Sequence, residues 1–143
     1  MTTWVVLSTK PAGPMSDQAR RPLSVLLLIF GLVFIFGVWP LMMFWPSGWQ
    51  WQPSQPEYEQ MIIGVYATLG VFMVLASRNP AQHRSLIQFT AWSSLVHAGI
   101  MAVQAFRDTA ERGHLLGDVP VLAAVGIVLL VLMPKAGDAA GAT

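Results

Sequence analysis

The sequence predicts an all-α fold: an integral membrane four-helix bundle with both termini in the cytoplasm. The 143-residue chain is 55% hydrophobic and only 10% charged, whereas soluble domains carry about 25% charged residues. It also contains several apolar runs close to the roughly 20 residues that a membrane helix needs. Basic residues gather on one side of these runs, which orients the predicted helices in a bilayer.

Composition excludes several functional classes. The chain has no cysteine, which rules out disulfides, thiolate catalysis, cysteine-ligated zinc and iron–sulfur clusters. Its net charge is only +1 and its basic residues are scattered, so a nucleic-acid partner is not expected. No phosphate-binding loop, dinucleotide fingerprint or HExxH motif is present. The low charge content also rejects a soluble enzyme.

The amino-terminal residues 1–20 are predicted to form a disordered tail, because Pro11, Gly13 and Pro14 break any helix. The polar and basic residues after Met15 are typical of a short cytoplasmic leader. We therefore expect translation to start at either Met1 or Met15, which mass spectrometry of the mature amino terminus distinguishes.

The first predicted span covers residues 22–45 and contains the uncharged run LSVLLLIFGLVFIFGVW. A signal peptide also places basic residues before an apolar run, but this run is too long and no A-x-A cleavage site follows it. We interpret it as a retained anchor. Pro40 should end or kink the helix, since proline lacks the amide hydrogen that a helix interior requires.

Tryptophans concentrate in the connection that follows, WPLMMFWPSGWQWQP, which holds four of the six in the chain. An indole at the headgroup level buries its ring and keeps its N–H in water. This pattern favours an interfacial belt over an aromatic binding lid. The four residues are Trp39, Trp45, Trp49 and Trp51.

The second predicted span covers residues 57–78 and opens after Pro56 with Glu57 and Glu59, where the helix dipole favours anions. Gly64 and Gly70 provide a face of small residues suited to close helix packing.

The third predicted span covers residues 80–112, with Pro80 in its first turn and Gly113 as its stop. At about 50 Å it exceeds the hydrocarbon layer, so its end should project into water. The fourth, 115–133, has an apolar core of only about fifteen residues, which is short for a span. The four spans form one domain, 21–134, and residues 135–143 are predicted to be a disordered tail.

Charge distribution predicts the topology. Of the eight basic residues, only Arg107 and Arg112 fall on the side of the first and third connections, which should therefore face outward. The others share the cytoplasmic side with both termini, and the expected location is a bacterial inner membrane. These are Lys10, Arg20, Arg21, Arg78, Arg84 and Lys135.

A polar stripe on the third helix is the strongest functional signal. At about 100° per residue, its members fall within roughly 60° of Thr90 on one helix face. They are Thr90, Ser93, Ser94, His97, Met101, Gln104 and Asp108. An ionisable group such as His97 is costly inside a bilayer, which makes it a functional hypothesis by default.

Pairing of the second and third helices as a hairpin would place Tyr66 near residue 95, within reach of Ser94 or His97. We therefore predict a ligand or proton pocket in the outer half of the bundle. Its candidate residues are His97, Tyr66, Glu59, Gln104 and Asp108. Interhelical hydrogen bonding is the alternative for His97, and interhelical packing is the interpretation for the remaining candidates. Those are Thr90, Ser93, Ser94, Gly64 and Gly70.

Metal, haem and triad chemistry are disfavoured. His114 and Asp118 are four residues apart, but Gly113 and Gly117 argue against one continuous helix there, and no compact ligand set accompanies them. The other histidines do not share the depth of His97, as a bis-histidine haem would require. Neighbouring serines lack an orienting acid for a Ser-His-Asp triad. No metal and no cofactor is predicted.

Three runs carry a resemblance to a known family: YEQMIIGVYATLGVFMVLASRNP, HRSLIQFTAWSSLVHAGIMAVQA and GHLLGDVP. Over about residues 22–134 the chain resembles an uncharacterised family of small four-helix bacterial membrane proteins. More distantly it is similar to the DoxX-like group. The resemblance implies the fold and membrane location but no mechanism, and the quinone-linked association of DoxX is not carried over because no functional residue matches.

Two functions follow from these patterns. The first is a non-catalytic interaction or accessory subunit that lies in the lipid bilayer with a protein partner or as a homo-oligomer. The alternative is a membrane protein, redox-linked or not, that handles a small molecule or protons through an outward-facing pocket around His97. The effect of His97→Ala distinguishes them, since it would damage assembly in the first case and binding in the second.

Overall fold

A computed structural model describes residues 17–133, with side chains from Arg21 onward. The predicted tails lie outside these residues, except that Asp17–Arg20 begin the first helix instead of belonging to a disordered segment. Nothing in the described range is a β-strand. The predicted all-helical class is therefore confirmed.

Six α-helices and two short 3₁₀ helices follow one another along residues 17–133. The α-helices are α1 (Asp17–Phe36), α2 (Val38–Phe44), α3 (Pro46–Trp49), α4 (Pro56–Ala76), α5 (Arg84–Arg107) and α6 (Asp118–Leu132). The 3₁₀ helices, Pro80–His83 and Thr109–Leu115, precede and follow α5.

Several of these helices are long and apolar enough to cross a membrane. Three qualify outright, within Pro56–Ala76, Pro80–Arg107 and Thr109–Leu132. A fourth arises if Arg21–Phe36 and Val38–Phe44 form one span with a 55° bend. Length and composition therefore support a membrane protein with three or four spans.

The bend in the first span lies at Gly37, three residues before Pro40. Pro40 cannot donate to the carbonyl of Phe36, and its ring crowds that carbonyl, so the helix breaks in the turn before the proline. The predicted span 22–45 therefore contains two helices, α1 and α2. The kink attributed to Pro40 is present one turn earlier.

Helices associate as two antiparallel pairs, α1 with α4 and α5 with α6. In the first pair, a Cβ on Gly70 would lie 2.6 Å from the carbonyl oxygen of Gly31. In the second, a Cβ on Gly126 would lie 2.8 Å from the carbonyl oxygen of Ala91. Missing side chains at these crossings let the backbones approach closely, as in other membrane helix pairs.

The expected hairpin of the second and third helices is not the main packing unit. These helices, α4 and α5, touch only lightly and belong to different pairs. Gly70 of α4 faces α1, and the glycine at the crossing of α5 with α6 is Gly126 of α6, so the close contacts form within the two pairs and not between α4 and α5. Where the pairs meet near residues 77–83, fully buried apolar side chains fill the interior. They include Leu23, Leu27, Met73, Ile87 and Leu129.

α5 ends at Arg107 and not at the predicted Arg112. Asp108 is extended, with φ −121° and ψ 124°, and its carboxylate accepts from the Ala110 amide at 2.9 Å. This side-chain cap starts the 3₁₀ helix Thr109–Leu115, which packs back along α5. The fold-back explains why α6 has only 15 residues, about 22 Å, against 24 residues, about 36 Å, in α5.

We call the end of the bundle formed by residues 45–55 and 108–117 the capped end. There α3 lies against the 3₁₀ helix Thr109–Leu115, backbone to backbone. A Cβ on Gly113 would collide with the Ser47 carbonyl, and one on Gly117 with the Gly48 carbonyl. Glycine is therefore required at both positions for the two connections to meet.

Candidate functional site

A narrow cavity of about 50 Å³ lies between the two helix pairs, beneath the capped end. Its wall is mostly apolar, and five of its lining side chains are titratable: Glu59, Tyr66, His97, His114 and Asp118. Trp49 and Trp51, from the connection over the capped end, complete it. Two of the four tryptophans predicted to form an interfacial belt, Trp49 and Trp51, therefore also line the cavity.

His97 and Tyr66 meet across the interface between the helix pairs. The Tyr66 hydroxyl and the His97 Nδ1 atom are 3.1 Å apart and share a hydrogen bond. Phe34 on α1 packs edge-on against the Tyr66 ring, with ring centroids 4.9 Å apart, and so orients the phenol. The sequence-based expectation that Tyr66 comes within reach of His97 agrees with this geometry.

Asp118 stands on the other side of the His97 ring. Its Oδ2 atom is 3.9 Å from His97 Nε2, too far for a direct hydrogen bond but short enough to attract a positive ring. Gly117 is the N-cap of α6, so Asp118 is the first helical residue rather than the cap. Its carboxylate is free to turn toward the two histidines.

His114 is 1% exposed and surrounded by hydrogen-bond acceptors. Its Nδ1 lies 3.0 Å from Asp118 Oδ1, and its Nε2 lies 3.2 Å from the Gln50 carbonyl oxygen. Glu111 Oε2 is a further 3.0 Å neighbour of Nε2. Only the imidazolium form can donate from both nitrogens at once. The ring therefore ties α6 to the connection above it.

Two buried carboxylates hold the connection 45–55 in place. Glu59 accepts from the Ser54 hydroxyl and the Gln55 amide, both at 3.1 Å, which closes the first turn of α4. Glu111 accepts from the Gln52 amide at 2.8 Å. Both carboxylates are less than 10% exposed, at 7% and 6% respectively. Together with His114 they fasten the capped end.

Gln104 and Asp108, predicted for the same pocket as His97, do not reach the cavity. Both are exposed and line a separate open groove at the capped end, together with Arg107 and Glu111. The two residues lie outside the cavity because the stripe turns out of the bundle beyond Met101, which still lines the cavity, and because α5 ends at Arg107. Glu59, Tyr66 and His97 are the predicted members that line the cavity.

Two of the other polar residues of the stripe, Thr90 and Ser93, hydrogen-bond within their own helix. The Thr90 hydroxyl donates to the Leu86 carbonyl at 2.9 Å, and the Ser93 hydroxyl to the Thr90 carbonyl at 3.2 Å. Such local bonds are the common alternative to interhelical ones for serine and threonine. Thr90 and Ser94 are nevertheless buried, as packing residues should be.

The two glycines predicted to pack helices behave differently. Gly70 lies in the crossing of α4 with α1, whereas a Cβ on Gly64 would meet no heavy atom within 4 Å. Gly64 faces away from the bundle, so its predicted packing role is not fulfilled within the chain.

Sequence reasoning missed Asp118 and His114 as members of the site. Their spacing was visible, but a break at the intervening glycines argued against a shared helix face. The structure contains that break and still joins the two residues, because the 3₁₀ helix delivers His114 to the first turn of α6. Within residues 17–133, no group of three or more histidine, aspartate or glutamate side chains has a metal-binding arrangement.

Comparison with known proteins identifies the family. Residues 19–142 match the family described as a family of unknown function (DUF6632). The chain belongs to DUF6632. It matches no curated protein and no solved structure at a significant level. The DUF6632 match agrees with the expected uncharacterised family and assigns no activity.

Proposed function

We propose that this DUF6632 member is a multi-pass protein that binds a small hydrogen-bonding molecule in the cavity beneath its capped end. The observation that supports it is the position of His97, between the Tyr66 hydroxyl at 3.1 Å and the Asp118 carboxylate at 3.9 Å, on the wall of that cavity. Polar groups of this kind are expensive inside a membrane and are retained for function.

Cavity size limits the ligand. A water molecule needs about 10–15 Å³ of such a volume, so about 50 Å³ accommodates only a few non-hydrogen atoms. A larger ligand of the size that fills pockets of about 300 Å³ or more would require the connection 45–55 to move. The site therefore fits a small polar molecule or the polar head of a larger one.

The cavity opens toward one end of the bundle only, which favours binding of a molecule over its passage through the protein. The apolar interior toward residues 77–83 is sealed by side chains such as Leu27 and Met73, which are 0% exposed. Polar lining occurs only from Tyr66 and His97 toward the capped end. From the basic residues we place this end on the outside of a bacterial inner membrane, with both termini cytoplasmic.

Cysteine accessibility tests the site, because the chain has no cysteine of its own. Silver ions applied outside intact cells should modify the Met101→Cys variant, whose side chain lines the cavity. They should not modify Ile87→Cys, in the sealed interior, or Val103→Cys, on the exposed apolar surface of α5. A Met101→Cys variant as unreactive as Ile87→Cys would refute an accessible cavity.

Binding itself is tested by removing the His97 ring. Small molecules that co-purify with the wild-type chain should be lost from the His97→Ala variant and reduced in Tyr66→Phe, while helix content stays unchanged. Identical co-purifying molecules in the wild type and both variants would count against the binding site.

An interaction subunit is the second candidate, supported by the outer face of α4. A shallow apolar groove runs there, with Gly64 open at its floor. It is lined by Met61, Gly64, Val65, Thr68, Leu69 and Phe72. A small-residue groove of this kind accepts a neighbouring helix in a bilayer. Gly64→Leu should then dissociate a complex while leaving the monomer folded, whereas an unchanged complex would reject this face.

A distant relation to DoxX-like proteins remains a proposal about ancestry alone.

A further inference from the structure

We propose that five side chains form a proton-transfer chain between the surface groove and the cavity: Glu111, His114, Asp118, His97 and Tyr66. Successive polar atoms are separated by 3.0 Å (Glu111 Oε2 to His114 Nε2), 3.0 Å (His114 Nδ1 to Asp118 Oδ1), 3.9 Å (Asp118 Oδ2 to His97 Nε2) and 3.1 Å (His97 Nδ1 to the Tyr66 hydroxyl). The proposal deepens the binding site by assigning it a route for protons.

Each link connects a group that can release a proton to one that can accept it. The transfer requires the neutral His114 ring with its proton on Nδ1, so Nε2 first gives up its hydrogen bond to the Gln50 carbonyl. A proton on Glu111 then passes to His114 Nε2 as the Nδ1 proton of that ring leaves for Asp118. The two oxygens of Asp118 then carry it to His97 Nε2, and the Nδ1 proton of His97 moves to the Tyr66 oxygen as the phenol releases its own to the cavity. Every step transfers one proton and no electrons.

Two links have to close. Glu111 Oε2 lies 3.0 Å from His114 Nε2 but makes no hydrogen bond, because that nitrogen is bonded to the Gln50 carbonyl, so the Glu111 side chain has to rotate. The Asp118–His97 link of 3.9 Å exceeds hydrogen-bonding distance, and a side-chain rotation of Asp118 or one bridging water would complete it. The adjoining cavity of about 50 Å³ has room for such a water. This link is therefore the point at which a bound molecule can make or break the chain.

The neighbouring residues show where the proton-transfer chain begins and where it ends. Glu111 is 6% exposed and lines the groove beside Arg107 and Asp108, which faces solvent. At the other end, α1 and α2 contribute only apolar side chains to the cavity wall: Val33 and Phe34 from α1, and Val38 and Met42 from α2. Titratable Glu59 on α4 also lines the wall, but one of its oxygens is engaged by Ser54 and Gln55. The route thus ends at the cavity, where its occupant exchanges the proton.

Proton exchange at His97 provides the test. The full chain, labelled with ¹⁵N-histidine in lipid nanodiscs, contains three histidines, so His83→Gln and His114→Gln variants assign the His97 signals. The measured quantity is the exchange rate of the His97 ring proton with water. Glu111→Gln preserves an acceptor for the Gln52 amide but cannot relay a proton, so it should slow exchange about tenfold or more. Asp118→Asn should do the same.

Asp108→Asn is the matched control, since Asp108 lines the same groove but lies outside the chain. Its exchange rate should stay within about twofold of the wild type. If Asp118→Asn does not fold, Glu111→Gln decides alone. If the exchange rate of the His97 ring proton is unchanged in Glu111→Gln, the proton-transfer chain is refuted, because water then reaches His97 directly. Silver reactivity of Met101→Cys would still support the accessible cavity in that case. Slowed exchange without that reactivity would instead reject only the accessible ligand cavity.

Discussion

Replacing His114 with alanine should be the most destabilising histidine substitution in the protein. The imidazole is 1% exposed and lies within 3.2 Å of three acceptors, on Asp118, Glu111 and Gln50. Its removal leaves two carboxylates, each 6% exposed, without a cationic neighbour. Breaking a buried charge pair by removing one partner costs about 3–5 kcal/mol.

We expect a loss of about 4 kcal/mol, which corresponds to roughly a thousandfold change in the unfolding equilibrium. This is a large share of the 5–15 kcal/mol that typical domains possess. The assay is far-UV circular dichroism during unfolding by sodium dodecyl sulfate in dodecylmaltoside micelles. His83→Ala, at the opposite end of the bundle, is the control and should cost less than about 1 kcal/mol.

A double-mutant cycle separates the charge pair from simple loss of volume. If His114 and Asp118 stabilise one another, the double alanine variant should be more stable than the sum of the single effects predicts, by about 2 kcal/mol. A loss under about 1 kcal/mol in His114→Ala, or strictly additive effects in the cycle, would refute the view that this pair fastens the capped end.

Two glycine substitutions test the close backbone contacts. Gly70→Leu should destabilise the fold by about 3 kcal/mol in the same assay, because its side chain would meet the α1 backbone, whereas Gly64→Leu should leave monomer stability within about 0.5 kcal/mol. Gly117→Ala should separate the 3₁₀ segment from the Gly48 carbonyl and shift the tryptophan emission maximum to longer wavelength as the connection 45–55 loosens. The matched Gly99→Ala, with no heavy atom within 4 Å of its Cβ, should leave the emission unchanged. Equal effects within either pair would contradict the packing described.

Local patterns predicted much of the fold. Apolar runs bounded by prolines located the long helices, because burial in a bilayer and the missing amide of proline act over only a few residues. The break near Pro40 was likewise foreseeable, although its position at Gly37 was not. The end of α5 was misjudged because the side-chain cap of Asp108 competes with continued helix, and helical periodicity does not register that competition.

The candidate site was predictable only in part. Helical periodicity and the position of each residue along its predicted span placed His97 and Tyr66 opposite one another. In the structure the Tyr66 hydroxyl and His97 Nδ1 are 3.1 Å apart. The same extrapolation assigned Gln104 and Asp108 to the cavity, although they lie in the exposed groove. A helix face is a reliable guide only while the helix stays inside the bundle, so the error grows toward the end of α5.

The sequence by itself determined that the chain forms apolar helices of membrane length, and that one of them carries an ionisable residue in its middle. Tertiary structure alone decided what surrounds that residue. Asp118 and His114 reach the site because the connection after α5 folds back along it, and that path depends on contacts of Gly113 and Gly117 with the backbone of Ser47 and Gly48. Such contacts join segments distant in the chain, and no periodicity within either segment encodes them.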